Sequence, residues 1–294
     1  MSEGHSLPST RNSIMLQPHF ATPPPRVADA LVSFPNPYIL LVVINRPQVL
    51  NCIGTRGDQE LTALFSWLDS EPSLRCAVIT GAGRAFCAGG DLKEWNELNA
   101  KGQVKKTPPE GFCGLSQRRG KKPVIAAVNG LCFGGGCEMI INCDMTIASE
   151  KAVFGLPEVK RGVVATAGAL PRLTRIIGRP RAMEMALTGR TVSAQEAAEW
   201  GLVNRVVGSG GEGASSEVVA EAIRLANMIA DNSPDSVIVT REGIKMGWEG
   251  VSAEEGTRIL EKEWFSRMNQ GENMKEGVRA FVEKRKPKWV ASKL

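Results

Sequence analysis

The sequence predicts an α/β fold, because short apolar strands alternate with amphipathic or glycine-led segments along the first two thirds of the chain. Apolar, β-branched runs recur at residues 38–45, 75–81 and 122–130. From about residue 179 the pattern turns mainly helical. With 294 residues, of which 43% are hydrophobic and 23% charged, the chain has the composition of a globular protein with a sizeable core.

The predicted elements follow in a regular order. The run YILLVVIN, residues 38–45, is apolar throughout and predicts a buried strand. A helix is predicted over 57–70, where four apolar residues share one face, and it ends before Pro72. The remaining predictions are strands at 75–81, 122–130, 144–150, 152–155 and 202–207, and helices at 135–143, 167–178, 179–189 and 193–201, followed by several amphipathic helices.

Composition divides the chain into three parts. Residues 1–26 are rich in serine, proline and polar residues, which predicts a disordered arm. Residues 27–207 form the predicted α/β core. The stretch GSGGEGASS, residues 208–216, predicts a flexible joint, so that residues 208–294 form a separate helical C-terminal region.

Histidine and cysteine exclude several kinds of chemistry. Both histidines, His5 and His19, fall in the predicted arm, so the folded body lacks the imidazole needed by serine–histidine or cysteine–histidine catalysis and by histidine-ligated zinc. The seven cysteines form no C-x-x-C pair, and we expect no metal site. No apolar run of 18 residues and no secretory leader pattern is present, so no membrane association is expected.

The net charge of +5 is modestly basic, with positive residues gathered at GQVKKTPP, SQRRGKKP and VEKRKPKW. Such runs can attract nucleic acid, a membrane surface or phosphorylated small molecules, although a solvated face is the preferred explanation for each run. A basic scaffold or RNA binder is therefore the alternative from another class. No aromatic RNA-binding motif accompanies these runs, and we do not expect nucleic acid as a partner.

Two glycine motifs resemble nucleotide-binding signatures but lack their decisive residues. GAGRAF has Phe86 where a dinucleotide fingerprint needs its third glycine. GLCFGGGC has Gly136 and Cys137 where a P-loop needs lysine and then serine or threonine. Neither a nicotinamide cofactor nor nucleoside triphosphate hydrolysis is predicted.

The same glycines are suited to a small anion that forms during a reaction. Gly135 precedes a predicted helix, and Gly90 lies in FCAGGDLKEW, where a strand leads into a helix beginning near Asp91. Glycines let a ligand approach backbone N–H groups, and a helix N-terminus adds partial positive charge. The pair predicts an oxyanion hole. Ordinary tight turns, with Asp91 as an N-cap, remain the alternative interpretation.

Two glutamates are candidate proton-transfer groups. Glu138 follows the glycines and is surrounded by apolar residues, which raise the pKa of a carboxyl toward neutrality. Glu158 in FGLPEVKRG follows a predicted strand. A favourable helix dipole is an alternative explanation for Glu138, and a solvent-facing helix start is one for Glu158. Sequence spacing alone does not show that the two meet.

Together these motifs resemble the enoyl-CoA hydratase/isomerase (crotonase) superfamily. The resemblance rests on AVITGAGRAFCAGGDLKEW, on the stretch from KPVIAAVNG to EVKRGVV, and on GALPRLTRIIGRPRAMEMALTGRTVSAQEAAEWGLVNRVV, and it spans about residues 30–285. It implies a spiral of repeated β-β-α units with a helical C-terminal trimerisation region. A homotrimer or a hexamer is the implied assembly.

The resemblance also implies roles for particular residues. The N–H groups of Gly90 and Gly135 would hold a thioester oxygen, and Glu138 and Glu158 match the two catalytic glutamates of hydratases. Further positions are implied along coenzyme A, which is part of the substrate rather than a separate cofactor: Arg84, Ala88, Asp91 and Lys93. The stretch 99–114 does not align with the family, so the sequence does not predict the acyl group of the substrate.

We therefore predict an enoyl-CoA hydratase that adds water reversibly to a trans-2-enoyl-CoA, without metal or redox cofactor. Double-bond isomerisation at the same site needs only one glutamate and is the alternative. The last residues, Ser292, Lys293 and Leu294, form a tripeptide read as a peroxisomal address, which predicts an import receptor as partner and a peroxisomal location. Fatty-acid β-oxidation and a specialised acyl-CoA pathway, such as siderophore or toxin synthesis, both remain open.

Overall fold

The computed structural model describes residues 20–103, 107–211 and 216–294. Outside these ranges lie His5 and His19 with most of the predicted arm, part of the basic run around Lys105, and the middle of the predicted joint at 208–216. Predictions for those residues fall outside the described part of the chain.

The described residues form two sheets, of which the larger has six strands in the order β1, β2, β3, β5, β7, β10. Among these six strands, β1 and β2 are antiparallel, and the other neighbours are parallel. Strands β2 and β3 are buried along their whole length, as expected where both faces of a parallel sheet are covered. The strands are β1 Ala30–Asn36, β2 Ile39–Ile44, β3 Cys76–Gly81, β5 Val124–Val128, β7 Met145–Ser149 and β10 Arg205–Val207.

The smaller sheet has four short strands in the order β4, β6, β8, β9. The first three run parallel to one another, and β9 pairs antiparallel with β8. Their bounds are β4 Ala85–Cys87, β6 Leu131–Phe133, β8 Val153–Gly155 and β9 Val192–Ser193.

A β-β-α unit repeats three times and builds both sheets at once. In each turn the first strand joins the larger sheet, the second joins the smaller sheet, and a helix follows. The units are β3–β4–α2, β5–β6–α3 and β7–β8–α4. This repetition confirms the predicted spiral. Because β4, β6 and β8 are parallel neighbours, the three loops that leave their carboxyl ends lie at one edge of the smaller sheet.

Helices cover both faces of the larger sheet. Leu61, Leu64 and Phe65 of α1 pack against one face, and Val219 and Ala222 of α7 pack against the other. The helices are α1 Thr55–Ser70, α2 Leu92–Ala100, α3 Gly135–Asn142, α4 Ala169–Ile177, α5 Arg179–Thr188, α6 Ala194–Glu199, α7 Glu217–Ala230, α8 Pro234–Glu249, α9 Ala253–Ile259, α10 Ser266–Asn269 and α11 Glu272–Val282.

The C-terminal region is helical, as the sequence predicts. A wider π-helical segment, Leu260–Phe265, joins α9 to α10, and α11 is followed by an extended tail. Within the described residues, no helix has both the length and the apolar character that crossing a bilayer requires.

Residues 20–26 lie against the body, ahead of the predicted core boundary at residue 27. The Phe20 ring centroid is 4.5 Å from that of Phe34 and 5.2 Å from that of Trp67. The Ala21 N–H donates a 2.9 Å hydrogen bond to Glu71 Oε2 at the end of α1. These contacts fix the first described residues on the surface of α1.

Candidate active site

Two glycine loops meet at the carboxyl ends of β4 and β6. A Cβ atom placed on Gly89 would lie 3.0 Å from the backbone nitrogen of Gly135 and 3.1 Å from the carbonyl oxygen of Phe133. Gly89 has a φ of +97°, a conformation that favours glycine. The chain therefore needs glycine here for its turn and for the close approach of the loop that carries Gly90 to the loop that carries Gly135.

Both predicted oxyanion donors have free N–H groups in the described structure. Gly90 forms a parallel bridge with Ile53, but that bridge uses the Gly89 carbonyl and the Asp91 N–H, at 2.9 Å each, and leaves the Gly90 N–H unused. Gly135 is the first residue of α3, where an N–H has no acceptor inside the helix. Two polarised N–H groups from neighbouring loops are the components of an oxyanion hole.

Glu138 lies in the first turn of α3 and is only 4% exposed. Its Oε1 accepts a hydrogen bond of 3.3 Å from the N–H of Ala169, at the start of α4. The pKa of the Glu138 carboxyl is raised to about 7, chiefly by burial and in smaller part by the nearby Glu158 charge, and backbone hydrogen bonds from Ala169 and Ala167 limit the rise. A carboxyl with a pKa near neutrality exchanges protons readily in both directions.

Glu158 follows β8 in a short 3₁₀ turn, Pro157–Arg161. Its Oε1 lies 3.4 Å from the position that a Cβ on Gly134 would occupy, which brings this carboxylate to the glycine loop before α3. Burial raises the pKa of Glu158, and Arg161 partly offsets that effect. Its buried Oε2 has no hydrogen-bond partner among the described residues.

The structure thus brings together four predicted residues, Gly90, Gly135, Glu138 and Glu158, which lie in the loops after three neighbouring strands. Two carboxyl groups in an apolar setting, beside two backbone donors, can move protons at one carbon while negative charge collects on an adjacent oxygen. In the described part of the chain, no group of three or more potential metal ligands is found.

The residues predicted along coenzyme A fall into two groups. Arg84 and Lys93 have exposed side chains that form no ion pair with another described residue, so both are available to phosphate groups. The Asp91 carboxylate instead already has partners within the chain. It accepts hydrogen bonds from the Lys93 and Glu94 N–H groups as the N-cap of α2, and it forms an ion pair with Arg46 at 3.4 Å. Ala88 donates its N–H to the Leu50 carbonyl at 3.0 Å.

Sequence reasoning missed a turn that borders this site. A Cβ on Gly135 would come within 2.8 Å of the Phe112 ring, so Phe112 packs directly against the oxyanion loop. Phe112 belongs to the short turn Phe112–Gly114, in which Cys113 has a φ of +57°. Two glycines, Gly111 and Gly114, could have indicated this turn in the sequence, but the stretch 99–114 aligns with no part of the family that was recognised.

Comparison with known proteins decides the family. The family model described as enoyl-CoA hydratase/isomerase matches residues 36–292. The chain belongs to this enzyme family. An acyl-CoA thioester is therefore its class of substrate. The family assignment confirms the resemblance inferred from the glycine and glutamate motifs, and with it the predicted fold.

Within this enoyl-CoA hydratase/isomerase family, two similar curated relatives are fungal. The mevalonyl-coenzyme A hydratase sidH of Aspergillus fumigatus is 53% identical over 270 residues, which cover 92% of this chain and 98% of the relative. The mevalonyl-coenzyme A hydratase SIDH of Beauveria bassiana is 56% identical over 283 residues, covering 94% and 99%.

Solved structures of family members share the fold. The crystal structure of an enoyl-CoA hydratase from Mycobacterium tuberculosis H37Rv superposes with a TM-score of 0.81 at 34% identity, covering 90% of this chain and 99% of that one. At this similarity the two chains share one fold.

Proposed function

We propose that the protein is a hydratase that interconverts a 3-hydroxyacyl-CoA and the corresponding 2-enoyl-CoA. The observation that carries this proposal is the pair formed by the buried Glu138 and the half-buried Glu158, both with raised pKa, beside two free backbone donors. Double-bond isomerisation needs one proton-transfer group, whereas addition of water needs a base for the water and an acid for the α-carbon. The second carboxyl therefore favours hydration.

In the hydration direction, one water lies between the two carboxyl groups, with Glu138 ionised and Glu158 protonated. Glu138 takes a proton from the water as its oxygen bonds to the β-carbon, and the thioester carbonyl becomes an enolate. The N–H groups of Gly90 and Gly135 stabilise that oxyanion, a contribution of about 10² to 10³ in rate for each such donor. Glu158, whose Oε2 is free of other partners among the described residues, delivers a proton to the α-carbon.

The reverse reaction uses the same groups with their proton states exchanged. Glu158 removes the α-proton, the oxyanion forms against the same two N–H groups, and Glu138 donates a proton to the departing hydroxyl. Because burial holds the pKa of Glu138 at about 7, this carboxyl supplies either state at neutral pH. No metal or separate redox cofactor has a role in this sequence of steps.

For the acyl group we propose a branched 3-hydroxy-3-methyl chain of the mevalonyl type. The support is the identity of 53% and 56% to two relatives named as mevalonyl-coenzyme A hydratases, over nearly the whole chain. This substrate favours a specialised acyl-CoA pathway over fatty-acid β-oxidation. Arg84 and Lys93, both exposed near the site, are proposed to bind coenzyme A phosphates.

The direct test of substrate is a panel of thioesters assayed by mass spectrometry. We expect mevalonyl-CoA to lose one water with a kcat/KM at least about tenfold above that for linear 3-hydroxyacyl-CoA esters of similar length. Faster turnover of linear chains would reject the branched substrate and leave the hydratase proposal standing. Migration of a double bond, with no change in mass, would favour the isomerase alternative.

We also propose the homotrimer or hexamer that the family resemblance implies. Three apolar side chains of α11 project from the described chain, Val278 at 62%, Phe281 at 85% and Val282 at 74% exposure, and this surface is suited to a partner subunit. Light scattering tests the idea: Phe281→Asp should shift the mass toward the 31.6 kDa of one chain. A monomeric parent protein would contradict it.

Finally, we propose a peroxisomal location and an import receptor that reads Ser292, Lys293 and Leu294. In the structure this tripeptide lies on the body, because the Lys121 ammonium donates to the Leu294 oxygen at 2.5 Å and Lys293 pairs with Glu272 at 2.7 Å. A fluorescent protein fused to the N-terminus should enter peroxisomes of a fungal host, and removal of the tripeptide should leave it in the cytosol. Identical distributions would contradict the proposal.

A further inference from the structure

A buried hydroxyl connects the turn beside the oxyanion loop to the segment that holds Glu138. Ser116 has no exposed surface. Its Oγ accepts a 2.7 Å hydrogen bond from the Phe112 N–H and donates one, also 2.7 Å, to the Ala167 carbonyl. Sequence motifs gave no indication of this residue.

The segment that Ser116 reaches is the one that binds the Glu138 carboxylate. The Ala169 N–H donates a 3.3 Å hydrogen bond to Glu138 Oε1, and the backbone N–H of Ala167 also lowers the pKa of this carboxylate. Gly168, between them, has a φ of +117°, a conformation that glycine adopts without steric cost. The Ser116 hydroxyl holds this segment at the Ala167 peptide.

The other end of the connection is fixed as well. The Cys113 N–H donates a 2.6 Å hydrogen bond to Oδ1 of the buried Asp58 in α1, which holds Cys113 at its φ of +57°. The Asn142 amide at the end of α3 donates to the Leu115 carbonyl at 2.7 Å. The turn is thereby tied to α1 and to the helix that carries Glu138, so it is a rigid base for the Ser116 hydroxyl.

We propose that Ser116 is a positioning residue for Glu138: its hydroxyl joins the Phe112 peptide to the Ala167 peptide and so fixes the N–H groups that bind the catalytic carboxylate. The same hydroxyl keeps the Phe112 ring against Gly135. The Ser116 side chain thus fixes the position of the general base, Glu138, relative to the oxyanion loop. The inference rests on the proposed hydratase function.

A titration of Glu138 reports its hydrogen bonds only if the charged groups around it stay the same. Glu158 faces it from the turn after β8, and Arg161 on that turn acts on Glu158. From α4, Arg172 donates to the Gly168 carbonyl at 3.0 Å, and from α1 the Asp58 carboxylate holds the turn at Cys113. Replacement of Ser116 leaves all four charges in place, so a change in the titration of Glu138 reports its hydrogen bonds.

The test compares Ser116→Ala and the nearly isosteric Ser116→Cys with the parent protein. Backbone hydrogen bonds to a carboxylate lower its pKa, so loosening them should move the Glu138 titration upward by about half a unit or more. We expect the corresponding limb of the kcat profile to move to higher pH, with kcat about tenfold lower and KM nearly unchanged. Ser149→Ala, which also removes a buried serine hydroxyl, is the matched control and should leave the profile unchanged.

A second readout separates this inference from the proposed function. Carbon-13 NMR of labelled glutamate carboxyls, with the Glu138 signal identified by its loss in Glu138→Gln, follows the titration without any turnover. An upward shift in Ser116→Cys supports the positioning role even where no thioester is hydrated. A folded Ser116→Cys with an unchanged Glu138 titration and an unchanged kcat profile overturns it. Failure of the parent protein to hydrate any enoyl-CoA refutes the hydratase proposal alone.

Discussion

Gly134 leaves open the space beside the carboxylate of Glu158. A Cβ atom at residue 134 would lie 3.4 Å from Glu158 Oε1, and the glycine adopts φ 54° and ψ −126°, a backbone conformation that residues with a side chain avoid. The turn that starts α3 therefore depends on glycine, and the same turn presents the Gly135 N–H and adjoins Glu158, the proposed proton donor to the α-carbon.

This relationship predicts that Gly134→Ala loses both stability and activity. A side chain in this backbone conformation costs about 1–3 kcal/mol, and relief of the strain would rotate the Gly135 N–H away from the oxyanion. Urea denaturation and kcat measure the two effects. Gly102→Ala is the control, because Gly102 also has a positive φ, +65°, but its Cβ would meet nothing within 4 Å. Full kcat in Gly134→Ala would contradict the role of this turn.

The stability of Glu138→Gln relative to the parent protein should depend on pH. The folded-state pKa of Glu138, about 7, lies above the unfolded value of about 4.3, so the folded state binds the proton more tightly between these values. The parent protein accordingly loses stability as pH rises through this window. We expect the difference to reach about 1–3 kcal/mol above pH 7 in favour of Glu138→Gln. Parallel stability curves from pH 4 to pH 8 would exclude a raised pKa at Glu138.

Glu158→Gln should lower the pKa of Glu138. The Glu158 charge disfavours ionisation of its neighbour, and a neutral amide of the same shape removes that repulsion. Carbon-13 NMR of the glutamate carboxyls measures the shift directly. The exposed Glu150, replaced in the same way by glutamine, is the control and should leave the Glu138 titration where it was. An unchanged titration in Glu158→Gln would show that the two carboxyls do not interact.

Gly135 and Phe112 should be energetically coupled. The methyl group of Gly135→Ala would meet the Phe112 ring at 2.8 Å, so the single change should displace the ring or the oxyanion loop and reduce kcat. Phe112→Ala removes the obstructing ring. The free energy lost by the double variant should therefore be about 0.5–3 kcal/mol smaller than the sum of the losses in the two single variants. Strict additivity in a double-mutant cycle of stability and kcat would contradict the contact.

Much of the fold was predictable because its signals are local. The buried strand over Ile39–Ile44 and the helix over Thr55–Ser70 follow from an apolar run and from helical spacing, and both are confirmed. Of the three short strands of the smaller sheet that lead into the site, β8 was predicted, at 152–155, and β4 only as a strand of unstated length before Gly90, whereas β6 was not predicted. Strand β6, Leu131–Phe133, has only three residues, which are too few to show the alternation of apolar and polar residues that predicts a strand.

The site was only partly predictable for a different reason. The residue types of Gly90, Gly135 and Glu138 were themselves the signal in the sequence. A glycine exposes its backbone N–H donor, and an acid inside an apolar run costs folding free energy unless it has a function. Ser116 and Asp58 each form a hydrogen bond with a distant peptide, 51 and 55 positions away along the chain. No local pattern encodes such contacts, so only the folded structure reveals them.

Hydration of crotonyl-CoA by the parent protein and by Glu138→Gln, followed through the loss of the conjugated thioester absorbance, tests the central claim most directly. The account predicts turnover by the parent protein and a fall in kcat of about 10² to 10⁴ in the variant, with the circular dichroism spectrum unchanged. Turnover by Glu138→Gln at the parent rate would contradict the assignment of this buried glutamate as the group that activates water.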